Sequence, residues 1–130
     1  MIWIAGLLAA GLLVVFLLPV LVARRQKGKT IPGNLAMRWN LGTSYTGLVY
    51  IWGRNCAHCR TMAPVVDEAI SAGKPIRKIQ VDEDPSGPLS LGIMSVPTTI
   101  LVEKGTIRSL ETGAKNRSQL EQYFQQLSLN

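Results

Sequence analysis

Cysteine and histidine are scarce in this chain, and their scarcity excludes several kinds of site. The 130 residues contain two cysteines, Cys56 and Cys59, and one histidine, His58. A structural zinc site needs four ligands, so zinc would require carboxylates or a second chain to complete the set. Covalent haem attachment needs a histidine directly after the second cysteine, and Arg60 occupies that position. No pattern for a nicotinamide or flavin is visible either, so we expect neither a metal nor an organic cofactor.

Charge is absent from the first 23 residues. As a helix, this segment would extend roughly 34 Å at ~1.5 Å per residue, enough to cross a hydrocarbon core of about 30 Å. A cleaved signal peptide is the alternative, but the segment has neither a basic start nor a small-residue cleavage site before Arg24. We therefore predict a single transmembrane anchor over residues 1–23. Trp3 and Trp39 would mark the two membrane interfaces, or a loop contact.

The net charge of +6 comes mainly from a short segment after the anchor. Residues 24–38 contain five cations and no anion, whereas residues 39–130 contain nine cations and eight anions. A basic cluster beside a membrane span suits anionic lipid headgroups. The rest of the chain has no basic stripe with interleaved aromatics, so we expect no nucleic-acid partner. The positive-inside rule predicts a single-pass protein with residues 24–130 on the cytoplasmic face, the exported face being the alternative.

The pattern after the anchor predicts a linker followed by one folded domain. Residues 24–45 form the basic juxtamembrane segment and linker, although alternating apolar residues between Leu35 and Leu41 would allow a short strand. The domain occupies residues 46–130. Its predicted strands cover residues 47–52, 75–81, 98–102 and 106–110, and its predicted helices cover residues 56–72, part of 82–95, and 118–127.

The order of these elements predicts an α/β fold. The first two strands, joined through a helix, form a parallel and right-handed βαβ unit. The last two strands form a hairpin through Glu103, Lys104 and Gly105. The result is a mixed four-stranded sheet with helices on both faces.

The two cysteines lie where a strand ends and a helix begins. At that point Cys56 would face unpaired backbone N–H groups and the positive end of the helix dipole, which favour the reactive thiolate. Cys59 lies one helical turn further along the same face, within disulfide reach. A pair of inert buried cysteines is the alternative, against which the polar Arg54 and Asn55 argue.

Several segments in order resemble the thioredoxin family over about residues 46–127. The centre of the resemblance is Cys56-Ala57-His58-Cys59. The matching segments are residues 49–52, 56–59, 62–64, 78–82 and 95–99, with Gly105 and Gly113. The resemblance implies a thioredoxin fold and exchange of thiols and disulfides with proteins. It also implies that Cys56 is the nucleophile, that Cys59 is the resolving thiol, and that Pro97 is cis and lies against the pair.

The segment around Pro97 is predicted to bind substrate. A proline has no N–H to donate, and the backbone of Val96 would be free to pair with an extended substrate segment. An ordinary turn proline before a strand is the alternative. Trp52 is predicted to pack beneath the site and to influence it through packing rather than chemistry.

Among the positions that depart from the usual thioredoxin pattern, two bear on the redox chemistry. His58 stands where typical members have proline; an imidazole there would stabilise the Cys56 thiolate and make the pair more oxidising, although an exposed histidine of little effect is the alternative. Tyr50 stands where the family buries an aspartate. Tyrosine is a poor base near neutral pH, since its pKa is about 10, and Lys78 would lose its usual acidic partner.

We therefore predict a membrane-anchored thiol–disulfide oxidoreductase that acts on protein thiols and disulfides with a separate redox partner protein. The alternative is a thioredoxin-like adaptor that docks a membrane complex and performs little redox chemistry. The loss of the buried acid favours the adaptor, and the presence of both cysteines favours the enzyme.

Overall fold

The computed structural model describes residues 1–127. Within this range the chain forms five helices and four strands. They are α1 (Ile2–Gln26), α2 (Gly33–Arg38), β1 (Gly47–Trp52), α3 (Ala57–Ser71), β2 (Ile76–Gln80), α4 (Ser86–Ser90), β3 (Thr98–Glu103), β4 (Thr106–Thr112) and α5 (Arg117–Gln126). From β1 onward, this order agrees with the order predicted from the sequence.

The four strands form one mixed sheet in the order β2-β1-β3-β4. β1 pairs with β2 in parallel, as predicted for two strands joined through a helix. β1 pairs with β3, and β3 with β4, in antiparallel fashion. The hairpin between β3 and β4 turns through Lys104 and Gly105, which have φ angles of 50° and 77°. Positive φ at both turn residues matches the right-handed twist of the strands.

Each face of the sheet carries its own apolar core, because successive side chains of a strand point to opposite faces. Leu48 and Tyr50 of β1 pack with residues of α3 and α5 on one face. Val49 and Ile51 pack on the other face, with α2 and with the segment after α4. The predicted α/β sheet flanked by helices is therefore confirmed, and β1 lies at its centre.

The segment before β1 is helical, and the short strand considered from the sequence is wrong. Alternation suggested a strand, but Leu35 and Trp39 are also four residues apart, which places them on one face of a helix. Both are buried, whereas Met37 is 82% exposed. Trp39 does not mark a membrane interface, since it is 3% exposed in the core and its indole N–H donates to Asp84 Oδ2 at 2.9 Å.

Helix α1 precedes the domain and is apolar and exposed. Its segment Ile2–Val22, of mean hydropathy 2.8, is long and apolar enough to cross a membrane, and none of it is buried in the protein. Directly after α1, the chain pairs with the outer edge of β4. The N–H of Gly28 donates to the Ile107 carbonyl at 2.7 Å, and the N–H of Ile107 donates to the Lys29 carbonyl at 2.8 Å.

Candidate active site

Cys56 is the N-cap residue of α3, directly after the loop that follows β1. Its sulfur accepts the backbone N–H of Cys59 at 3.1 Å. The first N–H groups of a helix have no partner within the helix, so a sulfur here satisfies one of them and lies at the positive end of the dipole. Both effects stabilise negative charge on Cys56 once the pair is reduced.

Cys56 and Cys59 form a disulfide, with their Cα atoms 5.2 Å apart. The two sulfurs have different surroundings. Cys56 is half-buried at the helix start, whereas Cys59 is 3% exposed within the first turn of α3. A substrate can therefore approach the pair only from the side of Cys56.

Val96 and Pro97 lie against the cysteine pair, and the bond between them is cis. The Val96 carbonyl oxygen is 3.7 Å from Cys56 Sγ. The Pro97 carbonyl accepts the N–H of Gly113 at 2.8 Å, which ties this loop to the end of β4. On the other side Gly53 leaves little room, because a Cβ there would lie 3.2 Å from Val96 Cγ2. The structure thus brings together the residues predicted for substrate binding and the two cysteines.

Tyr50 occupies the buried position beneath Cys59. Its side chain is 2% exposed, and its hydroxyl donates to the Cys59 carbonyl at 3.4 Å. Burial raises the pKa of Tyr50 to about 12, and the negative charge of Asp67 adds to this effect. Tyr50 is therefore a neutral hydrogen-bond donor at pH 7 and supplies no base for the Cys59 thiol.

Lys78 lacks the usual acid at position 50, where the chain has Tyr50, but it has another acidic partner. Its Nζ is 3.0 Å from Asp67 Oδ1 on α3. The same Nζ lies 5.5 Å from the centroid of the Trp52 ring. Trp52 is half-buried and packs against the core that α3 and α5 cover. The cation, the carboxylate and the indole thus form a group beside the buried Tyr50.

Sequence reasoning missed a role for Asp82. Its Oδ2 accepts the backbone N–H of Arg54 at 2.7 Å and so holds the loop that leads into Cys56. This hydrogen bond lowers the pKa of the Asp82 carboxyl. The sequence did contain a signal for this role. The carboxyl ends of adjacent parallel strands meet at one edge of a sheet, and Asp82 follows β2 at that edge. His58, in contrast, is exposed on the first turn of α3.

Comparison with known proteins agrees with this geometry. A sequence model of the family described as Thioredoxin matches residues 41–126. A thioredoxin of Haemophilus influenzae is 34% identical over 82 residues, which cover 61% of this chain and 77% of the relative. A thioredoxin of Alicyclobacillus acidocaldarius is 39% identical over 77 residues, which cover 57% of this chain and 73% of the relative.

The chain belongs to the thioredoxin family. The fold agrees: the structure of thioredoxin 1 from Thermosipho africanus superposes with a TM-score of 0.54 at 23% identity, over 62% of this chain and 91% of that protein. With its close Cys56–Cys59 pair, this thioredoxin is a thiol–disulfide oxidoreductase. Thioredoxins act on protein thiols and disulfides, which gives the general class of its substrates.

Proposed function

We propose that this thioredoxin is held in a membrane by residues 1–23 and exchanges disulfides with protein substrates on the cytoplasmic face. Cys56 is the nucleophile and Cys59 the resolving thiol. The observation that carries the proposal is the difference between the two sulfurs. Cys56 caps a helix on the open side, while Cys59 is buried behind it.

The exchange proceeds through a mixed disulfide. The Cys56 thiolate attacks a substrate disulfide, a bond forms between Cys56 and one substrate sulfur, and the other substrate sulfur leaves as a thiolate. Cys59 then attacks Cys56, which closes the internal disulfide and releases the second substrate thiolate. Two electrons pass to the substrate in this direction, and the reverse sequence oxidises a substrate dithiol. A separate redox partner protein returns the pair to its starting state.

The residues around the pair position the substrate and set the stability of the thiolate. An extended substrate segment pairs with the backbone at Val96, beside Pro97 and close to Cys56. His58 adds an imidazole near the cysteine sulfur, which favours the thiolate and therefore a more oxidising pair. Trp52 packs below the site, against the core that β1 shares with α3. The exchange itself uses the two cysteines and needs no further cofactor.

The anchor and its basic flank determine where the domain lies. Arg24 and Arg25 lie in the last turn of α1, and Lys27 and Lys29 follow, so by the positive-inside rule the domain lies in the cytoplasm. A membrane-impermeant maleimide applied to intact cells should leave reduced Cys56 unlabelled, and should label it once the membrane is permeabilised. Labelling in intact cells would place the domain on the exported face instead.

Insulin reduction tests the chemistry. The full chain in lipid nanodiscs, with dithiothreitol as the reductant, should accelerate the precipitation of insulin, and the Cys56→Ser variant should not. Cys56→Ser is a matched control because it replaces one atom at a helix cap that serine also satisfies. A wild-type rate equal to that of dithiothreitol alone would contradict the proposal.

One observation favours a second function, that of an adaptor with little redox chemistry. Tyr50 replaces the acid beneath the resolving cysteine, and its raised pKa of about 12 keeps it from accepting a proton near neutral pH. An adaptor would still dock its partner through the surface beside Pro97. The Tyr50→Asp variant separates the two functions. For an enzyme, the rate of insulin reduction should differ between the variant and the wild type, whereas an adaptor should show no turnover in either form.

A further inference from the structure

Traced backward from Gly28, helix α1 lies along the outer edge of β4 and then extends beyond the domain. Directly after the helix, Gly28 bonds to Ile107 near the start of β4. Further back along the chain, Pro19, Val20, Arg24 and Lys27 line one groove together with residues 109–112 of the strand. The helix therefore follows β4 toward its Thr112 end, and the part of α1 before Pro19 extends beyond that end by roughly 25 Å at ~1.5 Å per residue.

The link between α1 and the domain is too short to let the domain swing away. One residue, Lys27, separates the end of α1 from Gly28, the first residue bonded to β4. Thr30 then forms a bridge with Thr106, and the Ile31 N–H donates to the Gly105 carbonyl at 3.0 Å. The direction of the anchor is thus fixed relative to the sheet.

The end of β4 that α1 passes is also the end that carries the redox pair. Thr112 pairs with Thr98 at the start of β3. The next residue, Gly113, donates its N–H to the Pro97 carbonyl at 2.8 Å. Cys56 lies beside this loop, and β1 is two strands from β4, or about 10 Å across the sheet. The cysteines and the exit of the anchor therefore share one end of the domain.

We propose that the substrates of this thioredoxin are cysteines of membrane-spanning proteins, held next to the bilayer surface. With Ile2–Val22 in the hydrocarbon core, Pro19 and Val20 lie at its edge. The adjoining end of β4, and with it Cys56, is then at the level of the headgroups, which occupy roughly 5–8 Å on each side of the core. The inference rests on the membrane anchoring and redox activity proposed above.

The exposed surface at this end suits such a position. Arg54 and Arg60 flank the cysteine pair and are exposed, and cations there favour an anionic headgroup layer. Met94, in the loop before Pro97, is 87% exposed. An exposed thioether beside the site is compatible with apolar groups close to the membrane surface.

The reaction with such a substrate balances without a further reagent in a single turnover. The oxidised protein carries the Cys56–Cys59 disulfide. A substrate dithiol gives up two electrons and two protons, its two sulfurs become joined, and Cys56 and Cys59 become thiols. Two substrates with the same dithiol then differ only in the height of that dithiol above the bilayer.

The experiment compares two transmembrane peptides in the same nanodiscs as the oxidised full chain, made of phosphatidylcholine and phosphatidylglycerol. Both peptides carry the same Cys-x-x-Cys dithiol at each end. In the first peptide the dithiol directly follows the membrane span. In the second, a rigid helical spacer of about 20 residues, or ~30 Å, separates the dithiol from the span. Acid quenching, alkylation and mass spectrometry give the rate of disulfide formation. We expect the surface dithiol to react roughly tenfold faster or more, because the spacer removes the distant dithiol from reach.

Two insertion variants and a soluble peptide complete the design. Ten Gly and Ser residues inserted between Lys27 and Gly28 should abolish the preference, whereas the same ten residues inserted between Met1 and Ile2 should leave it intact. Equal rates at both heights in the unmodified chain, or a preference that survives the first insertion, would overturn the inference. A water-soluble peptide with the same dithiol should react alike with all three proteins, and a failure to oxidise it would overturn the proposed redox function itself.

Discussion

The turn of helix that holds the two cysteines is shaped by local hydrogen bonds, although the distant residues Val96 and Asp82 also reach the site. The segment before β1 depends on a distant partner. In the first, Cys59 bonds to Cys56 three residues away, and Tyr50 bonds to Cys59 nine residues away. In the second, Trp39 bonds to Asp84, 45 residues away. Short-range contacts are encoded in a local motif, whereas long-range contacts depend on the finished fold. We therefore expect changes in the first region to alter chemistry and changes in the second to alter stability.

The largest expected effect is on chemistry. Cys56→Ser should reduce insulin reduction by about three orders of magnitude or more, since the nucleophile and its partner act as a unit. Cys59→Ser should instead accumulate a mixed disulfide between Cys56 and the substrate, visible by mass spectrometry. If Cys56→Ser traps the substrate and Cys59→Ser does not, the two roles are reversed. Both variants should keep the unfolding midpoint of a reduced wild-type sample.

In the segment before β1, the effect should be on stability. Trp39→Ala should lower the free energy of unfolding by about 3–5 kcal/mol, because it empties a buried site and removes one of the hydrogen-bond donors to Asp84. Met37→Ala, two residues away but exposed, should change it by less than about 0.5 kcal/mol. Denaturant unfolding of the full chain in detergent, followed by circular dichroism, measures both. Equal effects would mean that α2 is not packed as described.

Replacement of His58 tests whether the exposed first turn of α3 influences the cysteine pair. If the imidazole stabilises the Cys56 thiolate, His58→Pro should raise the pKa of Cys56 and make the protein more reducing. For a two-electron couple, each pKa unit of lost stabilisation corresponds to a shift of about 30 mV, or ~1.4 kcal/mol. Proline also restricts the backbone, so His58→Ala separates the effect of the imidazole. Unchanged potentials in both variants would reduce His58 to an ordinary surface residue.

The smallest expected effect concerns Tyr50 in alkaline solution. Burial raises the pKa of Tyr50 in the folded protein to about 12, above the ordinary value near 10. The stability that this shift reflects is complete below pH about 10 and is lost as the pH rises through about 12. Tyr50→Phe should therefore reduce the loss of folding stability at alkaline pH. At pH 7 it should lower the free energy of unfolding by about 1 kcal/mol, because the hydrogen bond to Cys59 is lost.

Tyr45 provides the matched control for this pH dependence. Burial also raises its pKa to about 12, but its hydroxyl bonds to the Leu48 carbonyl, away from the cysteines. Tyr45→Phe should weaken the alkaline loss in the same way and leave the reactivity of Cys59 unchanged. A pH–stability profile of each variant between pH 7 and 12 gives the comparison.

The same difference in range explains how much could be predicted from the sequence. The strand Gly47–Trp52, the helix after Cys56 and the β3–β4 hairpin follow from local periodicity and turn residues, and the structure contains all three. The resemblance around the cysteines also predicted the cis bond before Pro97. These features need no knowledge of distant parts of the chain.

The features that were missed each need a partner that only the fold supplies. Leu35 and Trp39 fit both a strand and a helix until the sheet provides a surface for one face. Lys78 finds Asp67 because β2 and α3 are adjacent. Asp82 reaches the loop before Cys56 because two parallel strands end together. The course of α1 along β4 depends on backbone hydrogen bonds that leave no trace in residue type.

The pH dependence of alkylation tests the central claim, that the two cysteines have different roles, most directly. The reduced full chain is treated with iodoacetamide between pH 4 and 10, and the alkylation rate of each cysteine is measured by peptide mapping. The helix cap at Cys56 and the burial of Cys59 predict that Cys56 reacts well below the pH at which a free thiol would, while Cys59 stays unmodified. Equal alkylation of both cysteines at every pH would contradict the account.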